Sequence, residues 1–326
     1  MDLVRSYTDE LKLIEKPWKG VWIGLLLVVI ILIPWLGDDH LLYAATLIYI
    51  YAIGVQGQNI LIGYTGQISL GQAGFVAIGA FTFGHLSRAG VPLLLAILGA
   101  GIMAGLFGII VGFPSLRLKG PYLAIATLGF GIAVYQILTA YEFLSGGRMG
   151  MVVRKLPPIC GLSREVSTYY FVFLMGLCFT LISYNIISSY LGRAFIAIRD
   201  NDVAAEAMGV SLTHYKLLSF AISSFYSGIQ GALYGLFIGF LDPQMFTFFE
   251  SLIIFIAVII GGLASVEGSI FGAAFVILVP QVLSEYKQMV PVLFGVTVII
   301  IMIFEPLGLA GRWLKIRLYF KNWPFR

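Results

Sequence analysis

Apolar residues run through this chain in long blocks separated by short polar stretches. A helix needs about 20 apolar residues to cross the hydrocarbon core of a bilayer. On that ruler the pattern predicts spans at 21–37, 41–62, 68–87, 92–112, 121–140, 168–190, 215–241, 248–264, 268–286 and 291–305. Lipid offers no hydrogen-bond partners, so such segments must be helical. They are also too long and too uniformly apolar for alternating barrel strands. The expected fold is all-α: a polytopic transmembrane bundle of about 8–10 spans. The third, seventh and ninth spans are rich in Gly and Ser, which marks one or two of them as broken or re-entrant. Around this membrane core (21–310) lie an N-terminal segment (1–20), a polar loop (192–214) and a basic tail (311–326).

Composition agrees with the pattern. Of the 326 residues 60% are hydrophobic and only 11% charged, against about 25% charged in a soluble domain. Mean hydropathy is +0.97. The net charge of +4 is carried by loops and tails, so it reads as topology and not as a nucleic-acid surface. Arg312, Lys315, Arg317, Lys321 and Arg326 put the tail in the cytoplasm, and Arg193 and Arg199 put the loop at 192–214 there too, four spans earlier. The N-terminus then also faces inward, as does the loop with Arg117 and Lys119, while Asp38 and Asp39 face outward. The loop 141–167 falls outside although it carries Arg148, Arg154, Lys155 and Arg164. The first apolar run lacks a cleavage site and is preceded by several acids, so it is expected to stay as a span.

Chemistry is scarce along the chain. There is no G-x-x-x-x-G-K-[ST] loop, so the chain has no phosphate-cradling loop of its own and is not expected to be an ATPase. His40, His85 and His214 stand singly, and Cys160 and Cys178 lie in different settings, so no metal site or disulfide is expected. Glu250, Lys216, Glu267 and Glu305 sit near span ends or turns, which counts against proton relay. The mid-span polar groups are neutral: Gln56, Gln58, Asn59, Gln72, Gln136, Asn185 and Gln230. Together with Gln67 and Ser69, the group Gln58, Asn59 and Gln72 forms a candidate translocation path, and interhelical hydrogen bonding is the alternative. Ser223, Ser227, Gly231, Gly235 and Gly239 recur every fourth residue and read as a helix-packing stripe, as do Gly101/Gly105, Gly108/Gly112 and Gly268/Gly272. The segments 66–75 and 262–271 resemble each other as Gly/Ser-rich helix entries, one in each half.

The most informative stretch is Gly192–Val210. Asp200, Asn201 and Asp202 are N-cap candidates, Val203–Met208 is rich in helix formers, and Gly209 is a natural stop. A helix of two turns is not stable alone in water, so it must rest on its own membrane domain or on another protein. Ala204, Ala205 and Ala207 would allow close approach.

The run Arg199–Gly209, with Glu206-Ala207-Met208-Gly209, resembles the E-A-A-type coupling loop of ABC import permeases. Blocks at Gly63–Phe75, Leu116–Phe130 and Ile259–Ala273 resemble the branched-chain amino-acid permeases, above all the second of the two that pair in such systems. Pro121 departs slightly from that pattern. The resemblance implies a sister permease, two ABC ATPase subunits that carry the ATP and Mg, an external solute-binding protein, and a bacterial-type cytoplasmic (inner) membrane. It assigns Arg199, Asp200, Asn201, Asp202, Ala205, Glu206, Ala207 and Gly209 to ATPase coupling. Branched-chain or other apolar amino acids are the implied cargo, with urea and short amides as alternatives. A stand-alone channel or secondary carrier, and an enzyme built on Asp200, Asp202, Glu206 and His214, are the competing classes.

Overall fold

The computed structural model describes residues 30–35, 38–118, 120–147, 150–158, 161–282, 290–304 and 308–313. Most of the first expected span, Lys119, Arg148, Cys160, Glu305, the N-terminal segment and the tail beyond residue 313 lie outside the described residues. The chain is a helical bundle. Its helices are α1 (Asp39–Asn59, continuing as a π-helical turn Ile60–Tyr64), α2 (Gln72–Arg88), α3 (Leu93–Ser115), α4 (Pro121–Ala140) and α5 (Arg164–Ser188). The short helices α6 (Tyr190–Asp200) and α7 (Asp202–Ala207) follow. Then come α8 (Leu212–Ile238), α9 (Phe248–Gly261), α10 (Val266–Val282) and α11 (Val290–Phe304). A two-residue ribbon pairs β1 (Met151–Val152) with β2 (Phe240–Leu241) antiparallel.

Four stretches are long and apolar enough to cross a membrane by length and composition: Asp39–Tyr64, α3, α4 and α5. The first of these is 89% buried and α5 only 22%, so α1 is the central helix and α5 lies at the periphery. α8 is longer still at 27 residues. It is the span expected at 215–241, less apolar than those four because it carries Ser, Gly and Gln buried against α3, α2 and α1. Lipid does not see those residues, so they carry no insertion penalty in the finished fold.

Close backbone approach drives this packing, because hydrophobic burial between helices is weak in lipid. A Cβ at Gly228 of α8 would strike Gly101 and Ala104 of α3, and one at Gly79 of α2 would strike Gly228 itself. Three helices thus meet at one glycine-lined crossing.

Two faces of the bundle are defined by contacts. Arg88 at the end of α2 donates to the Val152 carbonyl of β1, and the His85 ring lies 2.8 Å from the Leu144 carbonyl. These mark a ribbon face. On the opposite, knob face α6 and α7 lie beside Gly63–Gln67, Ser115 and Leu118. Residues 308–313 are on the knob face as well, with Gly308 against Gly262. The basic loop 150–158 is on the ribbon face, opposite the knob, as the span count requires.

The expected breaks fall partly elsewhere. The third span is broken: residues 65–71 are not helical, and α2 starts only at Gln72, not at 68. The seventh is one unbroken helix. The eighth is the short one, since 14 residues at about 1.5 Å each span only about 21 Å. It starts below the ribbon face, after a 3-10 turn at Pro243–Phe246 that tucks Phe246 against Phe81.

Candidate functional site

The knob begins at Ser189, whose hydroxyl accepts the Leu191 N–H at 3.1 Å and so starts α6. α6 buries Gly192, Ala194, Phe195 and Ile198 and exposes Arg193 and Asp200. The chain then bends at Asn201, which is extended (φ −161°, ψ 107°) and caps α7 by accepting the Ala204 N–H at 3.0 Å. Gly209 ends the knob in a left-handed conformation (φ 85°), and the Val210 N–H returns to the Ala205 carbonyl at 3.0 Å. Of the three candidate caps, Asn201 takes the role. Asp200 instead pairs with Arg199 at 3.1 Å, and Asp202 with Lys216 at 3.5 Å. Ala205 turns inward at 5% exposure. Glu206, Ala207 and Gly209 are exposed.

Arg199 also reaches into the bundle. Its Nη1 donates to the Gly63 carbonyl in the π turn at 2.9 Å. Between the knob and the bundle lies a cavity of about 370 Å³, lined by Gly66, Gln67, Ser115, Asn201, Asp202 and Lys216 among others.

Above that cavity runs the break. Backbone that is not helical inside a membrane must find its partners in protein, and here the polar mid-span residues supply them. Gln58 donates to the Ser69 carbonyl (2.9 Å), the Thr127 hydroxyl accepts the Leu70 N–H (3.0 Å), and the Ser251 hydroxyl accepts the Ala73 N–H (2.8 Å). Gln67 donates to the Ser219 hydroxyl (2.8 Å). Gln72 donates to the Ser223 hydroxyl (2.9 Å) and accepts from Ser227 (2.6 Å). The Gln58 Oε1 is buried with no partner. Asn59 faces away from the break and grips the turn between α9 and α10. Its Nδ2 lies 3.2 Å from the Gly262 carbonyl, 2.8 Å from the Ser265 carbonyl and 2.9 Å from the Ser269 hydroxyl, while its Oδ1 accepts the Ala264 N–H at 2.9 Å.

A family model described as "Branched-chain amino acid transport system / permease component" matches residues 40–305. The chain belongs to this family. It is the permease component of an ABC transport system of the branched-chain amino-acid type. It is 31% identical over 310 residues to the high-affinity branched-chain amino acid transport system permease protein LivM of Salmonella typhimurium, covering 87% of this chain and 73% of that relative. The LivM protein of Escherichia coli is 32% identical with the same coverage. The autoinducer 2 import system permease protein LsrC of Salmonella paratyphi B is 25% identical over 249 residues, covering 74% and 68% of the two chains. No solved structure matches.

In this permease the four-residue stripe serves more than one purpose. Ser223 and Ser227 bind Gln72, and Gly231 lies against the Val76 carbonyl of α2. Gly235 meets Leu241 of the ribbon, and Gly239 lies just past the helix as its left-handed cap beneath Lys155. The other small pairs pack as expected: Gly101, Gly105, Gly108 and Gly112 on α8, Gly268 and Gly272 on α9. Gln56 bridges to Thr180 and Ser183 of α5, whereas Gln136 and Asn185 are exposed and not packed. Glu250 is deeper than its place near a span end implied, because α9 starts inside the bundle. Its side chain is half-buried.

Sequence reading missed two knob residues. Val203 is 70% exposed and Met208 85%, large apolar side chains beside the exposed Ala204, Glu206 and Ala207. Their only sequence signal was a large apolar residue at each end of a short alanine-rich helix. Among the described residues no group of His, Cys, Asp and Glu has metal-site geometry. The Asp202 carboxylate is held by Lys216, and the His214 ring packs edge-on to Tyr215.

Proposed function

We propose that this permease, with a sister permease, forms the translocation path of an ATP-driven importer for branched-chain or other apolar amino acids. Two separate ABC ATPases would bind the α6–α7 knob and supply ATP and Mg. An external solute-binding protein would deliver cargo to the ribbon face. The knob face, with both termini, would be cytoplasmic in a bacterial-type inner membrane, in keeping with its Lys and Arg excess.

The observation that carries the reading is the knob. Val203, Ala204, Glu206, Ala207 and Met208 are exposed on a helix too short to stand alone, held by Asn201, Arg199 and Lys216 against the bundle. Rigidly mounted, exposed apolar side chains suit a protein partner. Support for the sister permease comes from α4, which leaves Ala126, Gly129, Ala133 and Gln136 exposed on one side. Small residues and a mid-span amide suit a second transmembrane helix better than lipid. The passage would open at the break, where Gln58, Gln67, Ser69 and Gln72 exchange their present partners for solute.

The test is ATP-dependent uptake by the purified complex in vesicles. Glu206→Lys and Gly209→Trp should each abolish uptake while the chain stays in the membrane. Full uptake by both variants removes the assignment of the knob. Labelled leucine is the expected cargo. Transport of urea in its place would move the substrate class, and transport by this chain alone would favour a channel or carrier.

A further inference from the structure

Asn59 spends every polar atom on one turn, and that turn is unusual. Residues 262–265 join α9 to α10, with Gly262 at φ 124° and Ala264 at φ 57°, a left-handed conformation that an alanine seldom adopts. Asn59 holds it from the end of α1, a separation of 203 residues to Gly262 and 210 to Ser269. The asparagine directly precedes the π turn Ile60–Tyr64. Such turns break the regular register of a helix and recur at functional sites. One turn further on, the Gly63 carbonyl accepts the bond from Arg199 of the knob. A Cβ at Gly63 would run into both the Asn59 Oδ1 and the Ala264 N. Knob, π turn and α9–α10 turn are therefore in direct contact at one residue.

The far end of α9 completes the connection. Its first turn carries Ser251, whose hydroxyl accepts the Ala73 N–H at the start of α2 at 2.8 Å. A 14-residue helix thus spans from the clasp at the knob face to Ala73, past the inner end of the break, whose outer end at Gly66 already lies against Arg199. We infer that Asn59 is a positioning residue, the joint that carries displacement of the α6–α7 knob through α9 to the break where the passage opens. The inference rests on the ATP-driven reading above.

The experiment uses the assembled complex in vesicles and measures leucine uptake and ATP hydrolysis together. Asn59→Asp keeps the acceptor for Ala264 but loses the donor to Gly262, Ser265 and Ser269. Arg199→Lys keeps the charge at the surface but removes the guanidinium that reaches Gly63. Solute moved per ATP is expected to fall about tenfold or more in each variant, with the KM for leucine unchanged. The two effects lie in series, so the double variant should be no worse than the more severe single one. Three results overturn the assignment: uptake and hydrolysis falling in equal proportion, a raised KM with the ratio intact, or a ratio like that of the unaltered complex. The first marks a merely structural clasp and the second a path-lining residue. Should Asn59→Asp fail to assemble, Arg199→Lys decides alone. An unaltered complex with no ATP-driven uptake would instead overturn the functional reading itself, and this inference with it.

Discussion

The broken span offers the sharpest test of the packing argument, through Thr127→Val. Valine matches threonine in shape, so no cavity opens. The Thr127 hydroxyl accepts the Leu70 N–H at 3.0 Å and donates to the Leu123 and Ala124 carbonyls at 3.0 Å each. Those carbonyls remain within α4, so the main loss is the partner of Leu70, inside non-helical backbone. An orphaned buried N–H costs about 1–3 kcal/mol, and lipid around the bundle offers it no replacement. Thr139→Val is the control, because its hydroxyl bonds only to the Tyr135 carbonyl of its own helix at 2.9 Å. That change should stay within about 0.5 kcal/mol. Thermal unfolding in lipid bicelles reads the difference. At about 2–4 °C per kcal/mol for a chain of this size, Thr127→Val should melt roughly 2–10 °C lower than Thr139→Val. Equal melting of the two variants would show that Leu70 does not depend on Thr127, and that the break is held by other means.

Three further outcomes are expected. Gly228→Leu should prevent a folded bundle from accumulating, since its side chain has no room between α2 and α3; a normal yield in size-exclusion chromatography would contradict the crossing described above. Asn201→Ala should cost about 1 kcal/mol of capping and speed amide exchange in α7 while α8 stays protected, whereas uniform protection across both helices would show that the cap is idle. Gly129→Leu should lower recovery of the sister permease on copurification at least several-fold without changing the melting of this chain alone, and undiminished recovery would remove α4 from that interface.

Much of the architecture was readable from hydrophobic runs because the bilayer imposes one length scale. Helices α3, α4 and α5 lie within a few residues of expectation for that reason. The knob was readable too, from cap, helix formers and glycine in order. The broken span could not be told from the unbroken seventh and ninth because Gly and Ser serve two opposite ends. In residues 65–71 they permit non-helical backbone, while in α8 they allow a straight helix to approach its neighbours. Only tertiary partners distinguish the two, and Thr127, Ser251 and Gln58 lie far from residues 65–71 in sequence or one turn away on another element. Asn59 posed the same difficulty. Its amide reads as a pore lining or a clasp with equal ease until the turn 262–265 is seen folded beneath it. The short α9 was hidden because residues 248–264 are apolar over a full span, although the last of them form the turn.

The central helix α1 has a consequence for biogenesis. Gln56 bonds to Thr180, 124 residues later, and Asn59 to Gly262, 203 residues later. At roughly 5–20 residues per second, a ribosome delivers these partners on the order of 6–40 s after α1 has left the tunnel. During that interval the Gln56 and Asn59 amides lack these mates within the nascent protein. α1 must therefore linger beside the insertion machinery or in hydrated company, and it takes its final place only when the last third of the polypeptide arrives to enclose it.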